Sequence, residues 1–349
     1  MKNNNNRGVN LMNKITKLGV SALCGSLAAV SAANAGDMTV TGGVDMSWVS
    51  LDDEVTGNPI GMGSNLTFTG SGDLDNGWSV ALSVAMTNAD VYSNTNVTVT
   101  VPSLGDIRID QGTSGTGIDR IDDVTPSVWE EAYGAGLSAG IQTVSGGSAG
   151  STIEYTPNML PDGATVNLAY TPDANGSNAA DKGSSGHSAG VKKSGWDAAV
   201  TLTDALHGMA GLTVYGGIGS IEQDTNSAAI DGDKDETTIA VAYAAGGFTV
   251  GYQWSEQDLG TNTAAQEYTN EGYGITFNVN DDLSIGYNHY ESDQDAATDV
   301  TAKASSVQIA YSMGGASIRL YEGDVDNNAY QTGAAYDRSA TVISVSLAF

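Results

Sequence analysis

Apolar residues in this chain recur at every second position, and that period limits what the chain can fold into. In residues 341–349, Ile343, Val345, Leu347 and Phe349 point one way in an extended strand, while Ser344, Ser346 and Ala348 point the other. Residues 38–48 do the same: Met38, Val40, Val44, Met46 and Trp48 share one face, and Thr39, Thr41, Asp45 and Ser47 the other. Alternation returns in residues 77–86, 151–155, 164–170, 238–245, 248–254, 273–279, 283–287, 307–311 and 318–320. Period-two runs of about ten residues bounded by turn residues suit a tilted strand that crosses a membrane with one face toward lipid. A helical membrane protein is excluded, because past residue 35 no run of about 18 apolar residues exists. The mean hydropathy of -0.16 is compatible with a barrel, since polar positions on the second face cancel the apolar ones.

The start of the chain reads as an export signal. Lys14 and Lys17 precede the apolar stretch 18–30, and Ala33-Asn34-Ala35 supplies the small-residue cleavage pattern. Residues 1–35 are therefore expected to be a cleaved signal peptide, with Met12 the better start and Gly36 the first mature residue. Cys24 lacks the flanking residues of a lipid-anchor signal. It is also the only cysteine, so a mature chain would have neither disulfides nor thiolate metal sites.

Composition narrows function further. Removing Lys2, Arg7, Lys14 and Lys17 leaves 9 basic against 41 acidic residues, a net charge of -32. Such a surface repels nucleic acid and attracts cations. His187, His207 and His289 lie in no recognisable nucleophile, zinc or acid/base motif, so an enzyme is not expected. The stretch 231–236 alternates acids, and Asp231, Asp233 and Asp235 are candidates for a loosely held calcium ion at a loop. An EF-hand is excluded there: Ala242 stands where the bidentate Glu would be. No other cofactor is implied.

Two kinds of connection separate the strands. Tight ones fall at 73–77, 102–105, 245–247, 280–282 and 313–315; longer, mostly acidic ones fall at 49–60, 173–194, 222–236, 256–270, 292–301 and 325–338. In an up-and-down barrel short and long connections alternate. Counting residues 136–146 and 186–193 as strands gives about eighteen and breaks that rule. Folding both into loops gives about sixteen, an even number, with the longest loop at 112–150 after the fifth strand.

The terminal strand ending on Phe349, the export signal and this loop rhythm resemble the Gram-negative general diffusion porins, of the alphaproteobacterial type. The resemblance covers essentially the whole of residues 36–349. It implies a single all-β transmembrane antiparallel barrel in the outer membrane, with the third extracellular loop folded into the lumen. It also implies a homotrimer among outer-membrane lipids and lipopolysaccharide, passing small hydrophilic solutes and ions. Phe349 would be the residue read by the assembly machinery.

Strand parity assigns candidates to the lumen. Arg108 lies between Ile107 and Ile109, Arg319 between Ile318 and Leu320, and Glu154 between Ile153 and Tyr155. A charge facing lipid at the midplane costs about 2–4 kcal/mol, which turns all three inward. The long loop adds Asp119, Arg120, Asp122, Asp123, Glu130 and Glu131. By resemblance, the loop acids should face Arg108 and Arg319 across the narrowest point. Trp48, Trp78, Trp254, Tyr155, Tyr170, Tyr252, Tyr287 and Tyr311 are expected on the outer face, as interfacial girdles. Two rival readings remain: a substrate-selective channel of the same fold, and a secreted acidic β-rich adhesin. The second lacks any need for Phe349 or for a lipid-facing period.

Overall fold

A computed structural model describes residues 38–52, 58–88, 90–111, 115–134, 137, 139–148, 150–176, 190–262, 265–296 and 298–348. The expected signal at 1–35, Cys24, Gly36, His187 and Phe349 lie outside these residues. Strands β1 (Met38–Leu51), β2 (Ile60–Asp73), β3 (Ser79–Thr87) and β4 (Asp90–Val101) open the chain. Next come β5 (Gly105–Gln111), β6 (Ser151–Pro157), β7 (Ala164–Thr171) and β8 (Lys192–Leu202). The second half holds β9 (Leu212–Gln223), β10 (Lys234–Ala245), β11 (Phe248–Asp258) and β12 (Glu267–Asn278). It ends with β13 (Leu283–Asp295), β14 (Val300–Met313), β15 (Ala316–Asp326) and β16 (Arg338–Ala348).

Each strand pairs antiparallel with the next, and β16 pairs with β1, so the sheet closes into a sixteen-strand barrel. Closure leaves no edge, which is what a sheet needs where no water can satisfy backbone groups. The closing register keeps both faces consistent. Met46 lies opposite Val345 and Trp48 opposite Ile343 on the outside; Asp45 lies opposite Ser346 and Ser47 opposite Ser344 within.

The outer wall is apolar and uncovered. Ile60, Met62, Leu82, Ile109, Ile153, Ile218, Ile239 and Val307 are all exposed. In water a continuous band of this kind would be an aggregation surface; in a bilayer it is the favourable face. Trp48, Trp78, Tyr170, Tyr252, Tyr287 and Tyr311 stand exposed on it as expected. Trp254 and Tyr155 share that face but are partly covered. The Tyr155 hydroxyl donates to the Leu104 carbonyl at 2.9 Å.

Short connections at one end are 74–78, 102–104, 158–163, 203–211, 246–247, 279–282 and 314–315. Gly246 and Gly247 have φ of 57° and 87°, the two positive values a two-residue hairpin of matching twist requires. The loop end differs from expectation in two ways. The β3–β4 connection, at the end where long connections are expected, spans only from Thr87 to Asp90. Strands also run further than their apolar alternation: β10 begins at Lys234, β11 continues to Asp258 and β13 to Asp295. Residues 234–236, 256–258 and 292–295, read as loop from sequence, are therefore strand. Beyond the hydrocarbon band both faces are polar, so the ladder continues after its hydrophobic signal has ended.

Candidate functional site

The buried apolar residues lie between the barrel wall and the loop that follows β5. Ile118, Ile121 and Val144 of the loop pack with Ala199 of β8. Ala132, Leu137 and Ala139 pack against Tyr290, Ala304, Tyr321, Val325, Ala340 and Val342. The described residues of the loop, between 115 and 148, thus lie inside the barrel against β6 to β16, as the third loop was expected to do. Between the loop and the wall strands β3 to β6 lies a cavity lined by Asn96, Thr98, Asp106, Arg108, Arg120 and Glu154.

Polar side chains of the wall fix the loop's backbone. Gln253 on β11 donates to the carbonyls of Ile121 and Asp122 at 2.9 and 3.0 Å, and accepts from the Val124 N–H at 2.8 Å. Gln308 on β14 accepts from the N–H groups of Trp129 and Glu130 at 2.9 and 3.0 Å and donates to the Glu130 carbonyl at 2.5 Å. Gln257 on β11 donates to the Thr143 carbonyl. The connection after β15 closes over the returning limb, where the Ala329 N–H donates to the Ala139 carbonyl at 2.9 Å.

Three wall carboxylates hold the loop's N–H groups in the same way. Glu154 accepts from Gly117 at 2.7 Å, Asp197 from Ile118 at 2.7 Å and Gly147 at 3.3 Å, and Glu236 from Ser145 at 3.2 Å and Gly146 at 2.5 Å. All three are buried. Lys234 neutralises Glu236 at 2.5 Å. Asp197, Glu236, Gln253, Gln257 and Gln308 are absent from the sequence-derived candidates. Their only signal is inward parity: long polar side chains in mid-strand on the lumen face.

Arg108, Glu154 and Arg319 point to the interior, and their charge partners differ from the expected arrangement. Arg108 pairs with Asp110 on its own strand at 2.5 Å and donates to the Gly115 carbonyl at 3.1 Å. Arg319 pairs with Asp45 of β1 at 3.0 Å, its guanidinium 5.5 Å from the Trp129 ring centroid. Arg120 of the loop pairs with Glu154 of the wall, so here the base is on the loop and the acid on the barrel. The expected opposition of a basic wall to an acidic loop is corrected. Both wall arginines are matched by wall acids.

The loop acids divide. Asp119 accepts from the Gly115 N–H at 2.5 Å, and burial raises its carboxyl above the ordinary range. The Asp123 carboxylate accepts from the hydroxyls of Tyr133, at 3.1 Å, and Tyr290, and from the Thr125 N–H at 3.0 Å. Burial pushes it up to about 6. Asp122 is also pushed up to about 6, by burial first and then by the neighbouring Asp119 charge. Burial raises Glu130 as well, against the pull of Arg319. Among the described residues, Asp122, Glu130 and Glu131 belong to no ion pair.

The candidate calcium ligands are not brought together. Asp235 lies on the outward face of β10 while Asp233 accepts from the Gln223 N–H at 3.3 Å. Among the described residues no three His, Cys, Asp or Glu side chains are grouped to hold a metal ion.

A closed barrel with an apolar outer band, a polar interior and a long loop narrowing that interior defines an outer-membrane channel protein. A family model described as Gram-negative porin matches residues 19–349. The chain belongs to that family, and its place is the outer membrane. Among solved structures, it is similar to a loop-deletion mutant of OmpT, an outer membrane protein of Vibrio cholerae. The two are 14% identical with a TM-score of 0.65, over 90% of this chain and 100% of that one. It is similar to an anion-selective porin from Comamonas acidovorans at 14% identity and TM-score 0.63, over 90% and 99% of the two chains. It is also similar to a trimer form of in-vitro folded OmpT at 14% identity and TM-score 0.62, over 90% and 100%. No curated protein matches the chain.

Proposed function

We propose that the protein is a passive diffusion channel, weakly selective for cations, that admits small hydrophilic solutes and ions without a catalytic step. One observation carries the selectivity. Arg108, Arg120, Lys234 and Arg319 each sit in an ion pair, whereas Asp122, Glu130 and Glu131 sit in none among the described residues. Paired cations contribute little field at a distance, and unpaired carboxylates focused between low-dielectric walls raise the local cation concentration. A structurally similar porin is anion-selective, so on this reading the sign of selectivity depends on the charges each chain places in the lumen.

The mechanism is restricted diffusion. Solutes keep most of their hydration, pass between the loop and the β3–β6 wall, and are sorted by size and charge. The trimer form of a structural neighbour supports a homotrimer. Export with removal of residues 1–35 completes the proposal. The test is planar-bilayer recording of the refolded mature chain alongside swelling of vesicles in uncharged sugars. Stepwise conductance with swelling that falls as sugar size rises is the expected result. Conductance without sugar entry would contradict a general diffusion pore.

A further inference from the structure

The inner wall under the loop is floored with glycine. Gly217 of β9, Gly251 of β11, Gly272 and Gly274 of β12 and Gly286 of β13 all point inward. Gly251 and Gly274 are direct cross-strand partners. Glycine in a strand interior weakens the strand and marks close approach of another segment. The approaching segment is the loop. A Cβ on Gly217 would lie 2.7 Å from Ile118, one on Gly251 2.5 Å from the Pro126 ring, and one on Gly286 2.7 Å from Val128. A Cβ on Gly274 would be driven into the Pro126 carbonyl oxygen.

We infer that this glycine floor, with Gly251 and Gly274 at its centre, sets how deeply the loop is recessed and so sets the calibre of the pore. These glycines are positioning residues: Gly251 and Gly274 act through Pro126, Gly217 through Ile118 and Gly286 through Val128. The inference rests on the channel reading above. Close-packed interiors transmit such changes: one added methyl forces the neighbouring segment to shift. Wall strands are held by ladders on both sides, and the loop's other face borders open lumen. The loop is therefore what moves, and it moves inward.

Single-channel conductance tests this on the refolded mature protein, with Gly251→Ala, Pro126→Ala, the double variant and Gly70→Ala. Gly70 is the control, because a Cβ there meets nothing within 4 Å. Gly251→Ala should lose conductance and exclude smaller sugars than wild type. The double variant, lacking the ring atoms that the methyl strikes, should recover both. Gly70→Ala should match wild type. If Gly251→Ala gives no folded barrel, Gly286→Ala replaces it, with rescue by Val128→Ala; there the closest contact is the end of the Val128 side chain at 2.7 Å, with the Ile275 carbonyl and the Thr276 methyl at 3.2 Å. A folded Gly251→Ala or Gly286→Ala that conducts as wild type overturns the inference alone, as does a double variant without recovery. A wild-type protein without conductance overturns the channel reading and the inference with it.

Discussion

Arg120 of the loop grips Glu154 of β6 through two hydrogen bonds, Nε to Oε2 at 2.8 Å and Nη2 to Oε1 at 2.5 Å. The fork-to-fork geometry is the strong form of a charge-assisted pair, and the Gly117 N–H binds the same carboxylate. Glu154 is only 2% exposed, so Arg120 is both its counter-charge and the loop's attachment to the wall.

Arg120→Ala should therefore leave a buried carboxylate with one remaining donor. Fully buried pairs lose about 3–5 kcal/mol on losing a partner. Arg120 is itself about one-third exposed, so water offsets part of that, and the loss should be smaller. The folded band on unheated gels should disappear at a lower temperature. Arg120→Lys, which keeps charge but not the fork, should fall between. An unshifted Arg120→Ala would show that the pair does not hold the loop.

Gln308→Ala should loosen the loop at its far end. It strands the Trp129 and Glu130 N–H groups and the Glu130 carbonyl, each costing about 1–3 kcal/mol when buried without a partner. Limited proteolysis of the detergent-solubilised protein should then cut within residues 112–150 while the barrel stays intact. Cleavage no faster than in wild type would contradict the clamp.

Adjacent acids should behave differently. Asp122→Asn removes an unpaired charge and should reduce cation preference without changing stability much. Asp123→Asn weakens the acceptor for Tyr133 and Tyr290 and should lower stability with selectivity nearly unchanged. Reversal potentials and melting of the folded gel band, measured on both variants, separate the two roles. The reverse pattern would contradict the placement.

A pH dependence follows with a definite sign. Burial raises Asp122 and Asp123 to about 6, above the roughly 3.9 of a free aspartate. The folded state therefore binds protons more readily than the unfolded chain. Its extra stability is full below about 4 and is lost as pH rises through about 6. Lowering pH from 7 to 5 should tighten the loop and weaken cation preference together. Reversal potentials across that window check it, and Asp122→Asn should flatten the change. A cation preference that is constant down to pH 5 would contradict the raised values.

The barrel is legible in the sequence because lipid enforces a strict period: Ile343, Val345 and Leu347 fix which face of β16 points outward when it closes on β1. Loop position was legible too, since 112–150 exceeds any other connection. The loop's attachments were not. Gln253, Asp197 and Glu236 occupy inward positions that could equally face open water, and only tertiary contact distinguishes them. Gly251 and Gly274 read as weak strand residues, because a steric role is invisible until the partner segment is placed. The charge partners at the narrowing are hidden from sequence for the same reason. Asp110 and Asp45, which match Arg108 and Arg319, sit two residues away on one strand and on the opposite end of the chain respectively.

Reversal potential of the wild-type channel across a potassium chloride gradient tests the central claim most directly. The unpaired Asp122, Glu130 and Glu131 predict a potential of cation-selective sign at about 0.1 M, where the screening length is about 10 Å. It should shrink toward zero at about 1 M, where screening falls to about 3 Å. A potential of anion-selective sign at low salt would show that Arg108, Arg120 and Arg319 set the field despite their partners, and would contradict the account.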